Sequence, residues 1–357
     1  MSGTTPQKAG PGLSGAGLAR AVASMPKAEL HRHVEGCVSA ETIVRLARRH
    51  GLSLPTFDPV ELEGRVKLKA PMACLDDVLA MFRIAQSVFV SLEAVEEVVF
   101  GMLEHARLKE NVVLLEARYS PDFMLGGSGL DWGQGLAVVA GTLAAYEKRH
   151  GLVCGVILIA SRSYGLASAE RTVDFAVKHR GLVAGFDFAD SESAYPASLY
   201  RGLAARLAAA GIPLTVHSGE EGGAGMVAET LDCLKPRRIG HGVAAAADPT
   251  GRLLERIKAE GVLIETNPWS NYLTHAVGSL EDHPLPAFFR AGARVSIGAD
   301  DPEILDTDLN KEYLLAVERM GLSLGDLSAI GRMAVEGSFL SPDRRAEALG
   351  KMSSAGV

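Results

Sequence analysis

The sequence predicts an α/β fold, a (β/α)8 TIM-type barrel with a helical insertion after the first strand. Three observations lead to this class. From about residue 110 onward, short apolar β-rich runs alternate with Ala- and Leu-rich stretches at intervals of about 25 to 40 residues, as βα units around a parallel sheet do. Eight strand-like runs can be counted in all, enough to close a barrel. Histidines and carboxylates end several of these runs, where such a barrel places its active site.

The predicted strands follow one another along the whole chain. They lie at 28–33, 112–118, 152–160, 183–188, 213–217, 238–241, 262–266 and 294–299. Between later strands, the stretches 202–210 and 253–260 have helical composition. Each stops at a glycine, Gly211 and Gly261, which suits a helix C-cap. These helices would return the chain to the start of the next strand.

The segment between the first and second strands is too long for one crossover helix. It carries helical patterns at 40–50, 75–89 and 92–109. We therefore predict a helical lid at about 40–110, of the kind that closes over an active site. Residues 1–24 are rich in Gly, Ala, Ser and Thr and contain few charges, which predicts a flexible tail before a single barrel domain over 25–350.

Composition narrows the class of partner. The formal net charge is -7, and the basic residues are dispersed, so we expect no nucleic-acid partner. No apolar run approaches the roughly 20 residues that cross a bilayer, and no signal peptide is evident, so we expect no membrane partner. The 4 cysteines are far apart and form no C-x-x-C pair. This usage favours reduced thiols and a cytoplasmic location.

His31 and His33 end the first predicted strand. Alternate residues of a strand face the same way, so the two imidazoles would lie about 6 to 7 Å apart along one face and could chelate one metal ion. Three later strands also end in polar groups, in the segments HSGE (217–220), GHG (240–242) and ADD (299–301). In a barrel of parallel strands, all these ends meet at one face.

Three imidazoles and one carboxylate suit Zn²⁺, which accepts nitrogen and oxygen ligands and can keep a position for water. The predicted ligands of one zinc ion per chain are His31, His33, His217 and Asp300. Glu220, three residues after His217, could transfer a proton as a general acid. His241 could hold and deprotonate the attacking water, and Asp301 could accept a hydrogen bond from the substrate.

These segments resemble the successive motifs of the adenosine deaminase branch of the amidohydrolase superfamily. The order and spacing agree over most of the chain, in KAELHRHVEG (27–36), EARYSP (116–121), HSGE (217–220), RIGHG (238–242), DDP (300–302), EY (312–313) and SFL (338–340). The resemblance implies a zinc-dependent deaminase domain that hydrolyses the exocyclic amine of an aminopurine. Its reaction partners would be water and a small purine nucleoside or base.

The resemblance also implies a role for each site residue. The zinc ligands are the same four residues, His31, His33, His217 and Asp300. Glu220 would protonate the purine ring nitrogen N1, His241 would orient the water, and Asp301 would contact N7. Adenosine is the default substrate, with ammonia and an inosine-type 6-oxopurine as the products.

Two positions depart from the family pattern. Relatives that act on adenosine usually have Asp where Glu35 stands, in contact with the ribose 5′-hydroxyl, and Glu is more typical of relatives that take adenine or modified nucleosides. At position 190 the family usually has a glycine whose backbone amide approaches purine N3, and Asp190 places a carboxylate there. We expect Glu35 and Asp190 to bind the substrate differently from a typical adenosine enzyme. The segment EARYSP (116–121), by contrast, resembles the nucleoside branch.

Two alternatives remain open at this stage. One is a deaminase of another aminopurine, such as adenine or 6-aminodeoxyfutalosine. The other is a catalytically silent relative that only binds a ligand. Glu220, His241 and Asp300 speak against a silent protein, because a decayed site should lose the groups that only turnover needs.

Overall fold

The computed structural model describes residues 15–73 and 75–354, and its centre is a single sheet of eight parallel strands. The strands are ordered in the sheet as they are in the chain, because each is followed by a helical connection to its neighbour. They are β1 (Lys27–His33), β2 (Val112–Tyr119), β3 (Val153–Ser161), β4 (Gly185–Ala189), β5 (Leu214–Ser218), β6 (Arg238–His241), β7 (Leu263–Thr266) and β8 (Arg294–Ile297).

A short bridge between Arg32 and Asp300 joins the two edges of the sheet. The N–H of His33 donates to the carbonyl oxygen of Asp300 at 2.9 Å, and the N–H of Asp300 donates to the carbonyl oxygen of His31 at 2.9 Å. The sheet is thus a nearly closed barrel, and the predicted fold class is confirmed. The predicted strands differ from the observed ones by at most 2 residues at either end.

The helices surround the barrel. Within the described ranges they are α1 (Ala16–Ser24), α2 (Ala40–His50), α3 (Pro59–Val66), α4 (Leu75–Gln86), α5 (Leu92–Leu108), α6 (Pro121–Leu125), α7 (Trp132–His150), α8 (Gly165–Lys178), α9 (Arg201–Ala209), α10 (Ala224–Leu234), α11 (Arg252–Ala259), α12 (Pro268–Leu273), α13 (Leu285–Arg290), α14 (Leu309–Glu318), α15 (Leu324–Gly337) and α16 (Pro342–Ser354). The predicted helices at 202–210 and 253–260 correspond to α9 and α11. None of the helices in this part of the chain is long and apolar enough to span a membrane.

Part of the expected N-terminal tail is helical. Helix α1 covers residues 16–24, and its Leu18 and Val22 are buried in the main hydrophobic core. These two residues are four apart, so they lie on one face of the helix and anchor it to the barrel. Contrary to the expectation of a flexible tail, this segment is packed. Burial of two apolar side chains on one helix face is sufficient to attach it to the barrel, although its overall composition resembles that of a tail. Residues 1–14 of the predicted tail lie outside the described residues.

Helices α2 to α5 form the predicted insertion between β1 and β2. Helix α3 was not predicted, although Asp58 caps its first turn by accepting the N–H groups of Val60 and Glu61. After α3, the N–H of Leu68 donates to the carbonyl oxygen of Ile304 at 2.7 Å, and that of Met72 donates to Leu273 at 3.0 Å. These bonds attach the insertion to the segments that follow β8 and β7, so it borders the face where the strands end. Its opening and closing as a lid stays a prediction.

The barrel interior contains charged side chains as well as apolar ones. Glu29, Arg32, Glu116, Arg118, Asp187, Arg238 and Glu265 are all buried. A buried charge is costly unless it is paired, and here the guanidinium groups meet carboxylates, for example Arg238 Nη1 and Glu116 Oε2 at 2.6 Å. Outside the interior, Cys37, Cys154 and Cys233 have free thiols. Cys74 lies outside the described residues.

Candidate active site

Four of the predicted site residues meet at the face where the strands end. His31 and His33 lie in β1, His217 lies in β5, and Asp300 follows β8. Each offers one ligand atom, and these atoms all lie within 4.8 Å of one another. Nε2 of His31 is 3.4 Å from Nε2 of His33. Oδ1 of Asp300 is 3.3 Å from each of these two nitrogens.

The spacing of these atoms fits a metal ion. An ion with tetrahedral bonds of about 2.0 to 2.1 Å keeps neighbouring ligand atoms about 3.3 Å apart. The three mutual distances among His31, His33 and Asp300 match this value. The donor set of three imidazoles and one carboxylate is one that zinc accepts.

Buried carboxylates contact the Nδ1 atoms of two of these histidines and orient their rings. Nδ1 of His31 lies 2.8 Å from Glu265 Oε2, and Nδ1 of His217 lies 3.0 Å from Asp187 Oδ2. A neutral imidazole that donates from Nδ1 to a carboxylate keeps its Nε2 lone pair free, which is the form that binds a metal. Burial lowers the pKa of His217 to about 3, so this ring is neutral near pH 7.

Arg118 joins the two supporting carboxylates. Its Nη1 lies 2.7 Å from Asp187 Oδ2, and its Nη2 lies 2.7 Å from Glu265 Oε2. Burial opposes the charged form of both carboxylates. The pKa of Asp187 is nevertheless well below its usual range because of His217 and Arg118, and that of Glu265 because of Arg118 and Arg238. Both carboxylates therefore stay charged and can accept the Nδ1 protons.

Sequence reasoning assigned no role to Asp187, Glu265 or Arg118. A signal was present, since each is a charged residue inside a predicted strand of the barrel. A charge at such a position is stable only with a partner. Three such positions on neighbouring or opposing strands point to one interior network.

Glu220 and His241 face each other beside the four-residue cluster. Oε2 of Glu220 lies 3.3 Å from Nε2 of His241, and Oε1 of Glu220 accepts the hydroxyl of Thr274 at 3.1 Å. Burial raises the pKa of Glu220 to about 8, and the Asp300 carboxylate acts in the same direction. Glu220 is therefore protonated at neutral pH and can donate a proton.

A chain of hydrogen bonds determines which nitrogen of His241 carries the proton. The N–H of Leu285 donates to Nδ1 of His283 at 3.1 Å, and burial lowers the pKa of His283 to about 3. The neutral His283 ring therefore donates from Nε2 to Asn271 Oδ1, at 3.1 Å. This turns the Asn271 amide nitrogen toward His241 Nδ1, at 2.9 Å.

His241 thus accepts at Nδ1, and its neutral ring carries the proton on Nε2, which points toward Glu220. The sequence predicts two tasks for His241, to hold the attacking water and to take its proton. A ring protonated at Nε2 is suited to the first task. The contributions of Asn271 and His283 were missed, because their positions relative to His241 depend on how the chain returns after β7.

Glu35 and Asp301 each have one buried carboxylate oxygen that has no hydrogen-bond partner among the described residues. Glu35 Oε1 accepts the N–H of Ser120 at 2.7 Å, whereas Oε2 is unpaired. Asp301 Oδ1 is likewise unpaired, and a Cβ atom at Gly36 would lie 2.5 Å from the Asp301 Cβ. Only glycine allows this approach. Unpaired polar atoms in a site suit hydrogen bonds with a ligand.

Asp190 follows β4 and bonds to the end of the neighbouring strand β3. Its carboxylate accepts the hydroxyl of Ser161, and the residue is exposed. Its φ of 68° lies in the left-handed region, which glycine adopts readily and aspartate only occasionally. The backbone thus keeps a glycine-like conformation while the side chain bonds to the end of β3. A contact between Asp190 and the substrate stays a prediction.

The barrel and its cluster of three histidines and one aspartate define an enzyme of the amidohydrolase fold. A family model described as "Adenosine deaminase" matches residues 26–355. The chain belongs to the adenosine deaminase family and is a hydrolytic deaminase, and its His/Asp cluster could hold a metal ion.

Relatives with known names agree with this assignment. The chain is 31% identical over 324 residues to an adenosine deaminase of Shewanella denitrificans, covering 90% of this chain and 97% of the relative. It is 31% identical over 340 residues to an adenosine deaminase of Bos taurus, covering 91% and 92%. Among solved structures, an adenine deaminase from Arthrobacter aurescens is similar with a TM-score of 0.84 and 28% identity, covering 92% of this chain and 98% of that one.

Proposed function

We propose that the protein is a zinc-dependent deaminase that hydrolyses the 6-amino group of an aminopurine nucleoside, with adenosine as the default substrate. The convergence of Glu220, His241 and Asp301 on the four-residue cluster carries this proposal. The two relatives named adenosine deaminase support the choice of substrate. The widely spaced cysteines favour a reducing compartment, and we propose the cytoplasm as the location.

His31, His33, His217 and Asp300 would bind the zinc ion. When bound, zinc lowers the pKa of water toward 7 and so supplies a nucleophile at neutral pH. Glu265 and Asp187 would keep the His31 and His217 rings in the orientation that leaves Nε2 free for the ion.

The other site residues would act on the purine and on the attacking water. Glu220 donates a proton to ring nitrogen N1, which weakens the aromatic system and makes C6 electrophilic. His241 orients the water with its Nε2 proton while the C6–O bond forms, and Asp301 contacts N7. The C6–N bond then breaks and ammonia leaves. One proton of the water passes to the Glu220 carboxylate that remains after N1 is protonated, and the other passes to the departing amino group, so the products are the 6-oxopurine and ammonia.

Ammonia release from adenosine tests this proposal directly. We expect metal-loaded protein to convert adenosine, or a close 6-aminopurine analogue, to the 6-oxo product with one ammonia per turnover. Absorbance of the purine and an ammonia assay would be followed in parallel. Fully metal-loaded protein that releases no ammonia from any 6-aminopurine would contradict the proposal.

We expect kcat to fall as the pH rises above about 8. A carboxyl group is protonated below its pKa, so Glu220, whose pKa is raised to about 8, has the proton it must donate at neutral pH and loses it in alkaline solution. The measurement is kcat at saturating substrate between about pH 6.5 and 9.5, with metal content checked at each pH. A profile that stays level through this range with constant metal content would contradict the assignment.

Glu35 favours a second candidate, a deaminase whose preferred substrate is a modified 6-aminopurine nucleoside. Glu35 extends one methylene further than the aspartate typical of adenosine enzymes, and its unpaired Oε2 is buried. One methylene in a fitted pocket can change selectivity by about 10- to 200-fold. If this second candidate is correct, adenosine is a poor substrate relative to such a nucleoside.

The combined change Glu35→Asp with Asp190→Gly is expected to shift preference toward adenosine by about tenfold or more. The measurement is kcat/KM on both proteins for adenosine, 2′-deoxyadenosine, 5′-modified adenosines and adenine. Asp190→Gly alone is the control, because the Asp190 carboxylate bonds to Ser161 and its loss should matter less. If the unaltered protein uses adenosine at about 10⁵ M⁻¹s⁻¹ or above and every analogue is slower, plain adenosine deamination is the correct function.

A further inference from the structure

The carboxylate of Glu192 fills a backbone turn at residues 219–222. Glu192 follows β4 and is 4% exposed. Its Oε1 accepts, at 2.8 to 3.0 Å, the four consecutive N–H groups of Gly219, Glu220, Glu221 and Gly222. Its Oε2 accepts the N–H of Gly219 at 2.9 Å and the hydroxyl of Ser218 at 3.1 Å.

Consecutive N–H groups that point to one centre form an anion-binding concavity. Phosphate groups bind at such sites in other proteins, and here a side chain of the same protein occupies the site. Without Glu192, buried and partly buried N–H groups would lose their acceptor at a substantial cost. Bonds to a charged acceptor are roughly twice as strong as neutral ones, so this carboxylate strongly favours one conformation of the turn.

The turn carries Glu220, the proposed proton donor. At its other end the Glu220 side chain contacts the hydroxyl of Thr274 at 3.1 Å and Nε2 of His241 at 3.3 Å. Its backbone position depends on the turn, in which Gly219 has a φ of 79°. Glu192 is thus the group that connects the end of β4 to the placement of Glu220.

A second carboxylate, that of Glu221 in the turn, also joins the turn to the segment after β4. Glu221 accepts the hydroxyl of Ser193 at 2.7 Å and that of Ser191 at 3.0 Å. The segment after β4 therefore binds the turn through Glu192, and the turn binds that segment through Glu221. Because the Glu221 contacts involve no atom of Glu192, they should persist when Glu192 alone is changed.

We propose that Glu192 is a positioning residue for Glu220. Its buried carboxylate keeps the turn at 219–222 in the conformation that directs the proton donor toward the substrate. The inference rests on the proposed function, in which Glu220 protonates the purine ring.

Glu192→Gln is expected to lower kcat/KM by about 10- to 100-fold, as small misplacements of a catalytic group do. The amide keeps the size of the side chain, but it is neutral and offers one acceptor oxygen in place of two. Bound metal should remain at the level of the unaltered protein. The matched control is Glu229→Gln, in which a carboxylate that accepts the N–H of Ser198 at 3.0 Å is changed in the same way. It should stay within about twofold of normal.

The double variant Glu192→Gln with Glu220→Gln distinguishes a positioning role of Glu192 from a general structural role. If Glu192 acts through Glu220, Glu192→Gln should cause no further loss of kcat/KM once Glu220 is already Gln. An equal loss in both backgrounds, an unchanged single variant, or a loss that parallels loss of metal would overturn the inference. If Glu192→Gln does not fold, Glu192→Asp, which retains the charge, is measured in the same two backgrounds and decides by the same criteria. Normal activity in Glu220→Gln alone would instead contradict the proposed function.

Discussion

Replacing His31 and His33 together by alanine is expected to remove the bound metal and reduce deamination to background. The two Nε2 atoms lie 3.4 Å apart, and each lies 3.3 Å from Asp300 Oδ1, so the double change deletes two of the four donors. The remaining pair, His217 and Asp300, lacks the ligand number that zinc sites require. We expect metal content to fall from about one ion per chain to near zero.

Elemental analysis after gel filtration, together with ammonia release, measures both parts of this expectation. The control is His179→Ala, which removes a partly exposed histidine at the end of α8, outside the site. It should leave metal content and activity unchanged. Chelation of the unaltered protein should abolish activity, and added zinc should restore it. A double variant that keeps full metal and activity would show that the ion binds elsewhere.

The barrel could be predicted from the sequence because its strands are apolar runs that alternate with helical stretches. The same pattern indicated which residues end the strands, and therefore that His31, His217 and Asp300 would approach one another. This argument needs only the rule that parallel strands end at one face. Asp300 additionally provides the bridge to Arg32 that joins the edges of the sheet, a contact with no signal in the sequence.

The residues that support the site could not be paired with their partners from the sequence. Glu265 contacts His31 across 234 positions of sequence, and Glu192 contacts the turn at Glu220 across 28. Neither pairing follows from periodicity, since both depend on side-chain direction after the barrel has formed. Helix α1 was missed for another reason, because its apolar contribution to the core comes from two residues, Leu18 and Val22.

Glu220→Gln is expected to lower kcat by about 10² or more while the fold and the bound metal are retained. The substitution keeps the size of the side chain and an oxygen that can accept the Thr274 hydroxyl. It removes the acidic proton, and an amide cannot transfer a proton to purine N1. Because burial raises the pKa of Glu220 to about 8, the unaltered residue carries that proton at neutral pH. The loss of kcat should therefore be seen in full near pH 7.

The separation of kcat from KM distinguishes this role from simple substrate binding. A general acid acts in the transition state, so its loss lowers kcat with a smaller effect on KM. The measurement is steady-state ammonia release over a range of substrate concentrations, on protein whose metal content equals that of the unaltered enzyme. Glu229→Gln again serves as the control for the substitution itself. If Glu220→Gln instead turns over at a near-normal rate with a raised KM, Glu220 binds the purine without protonating it, and the proton for N1 must come from another group.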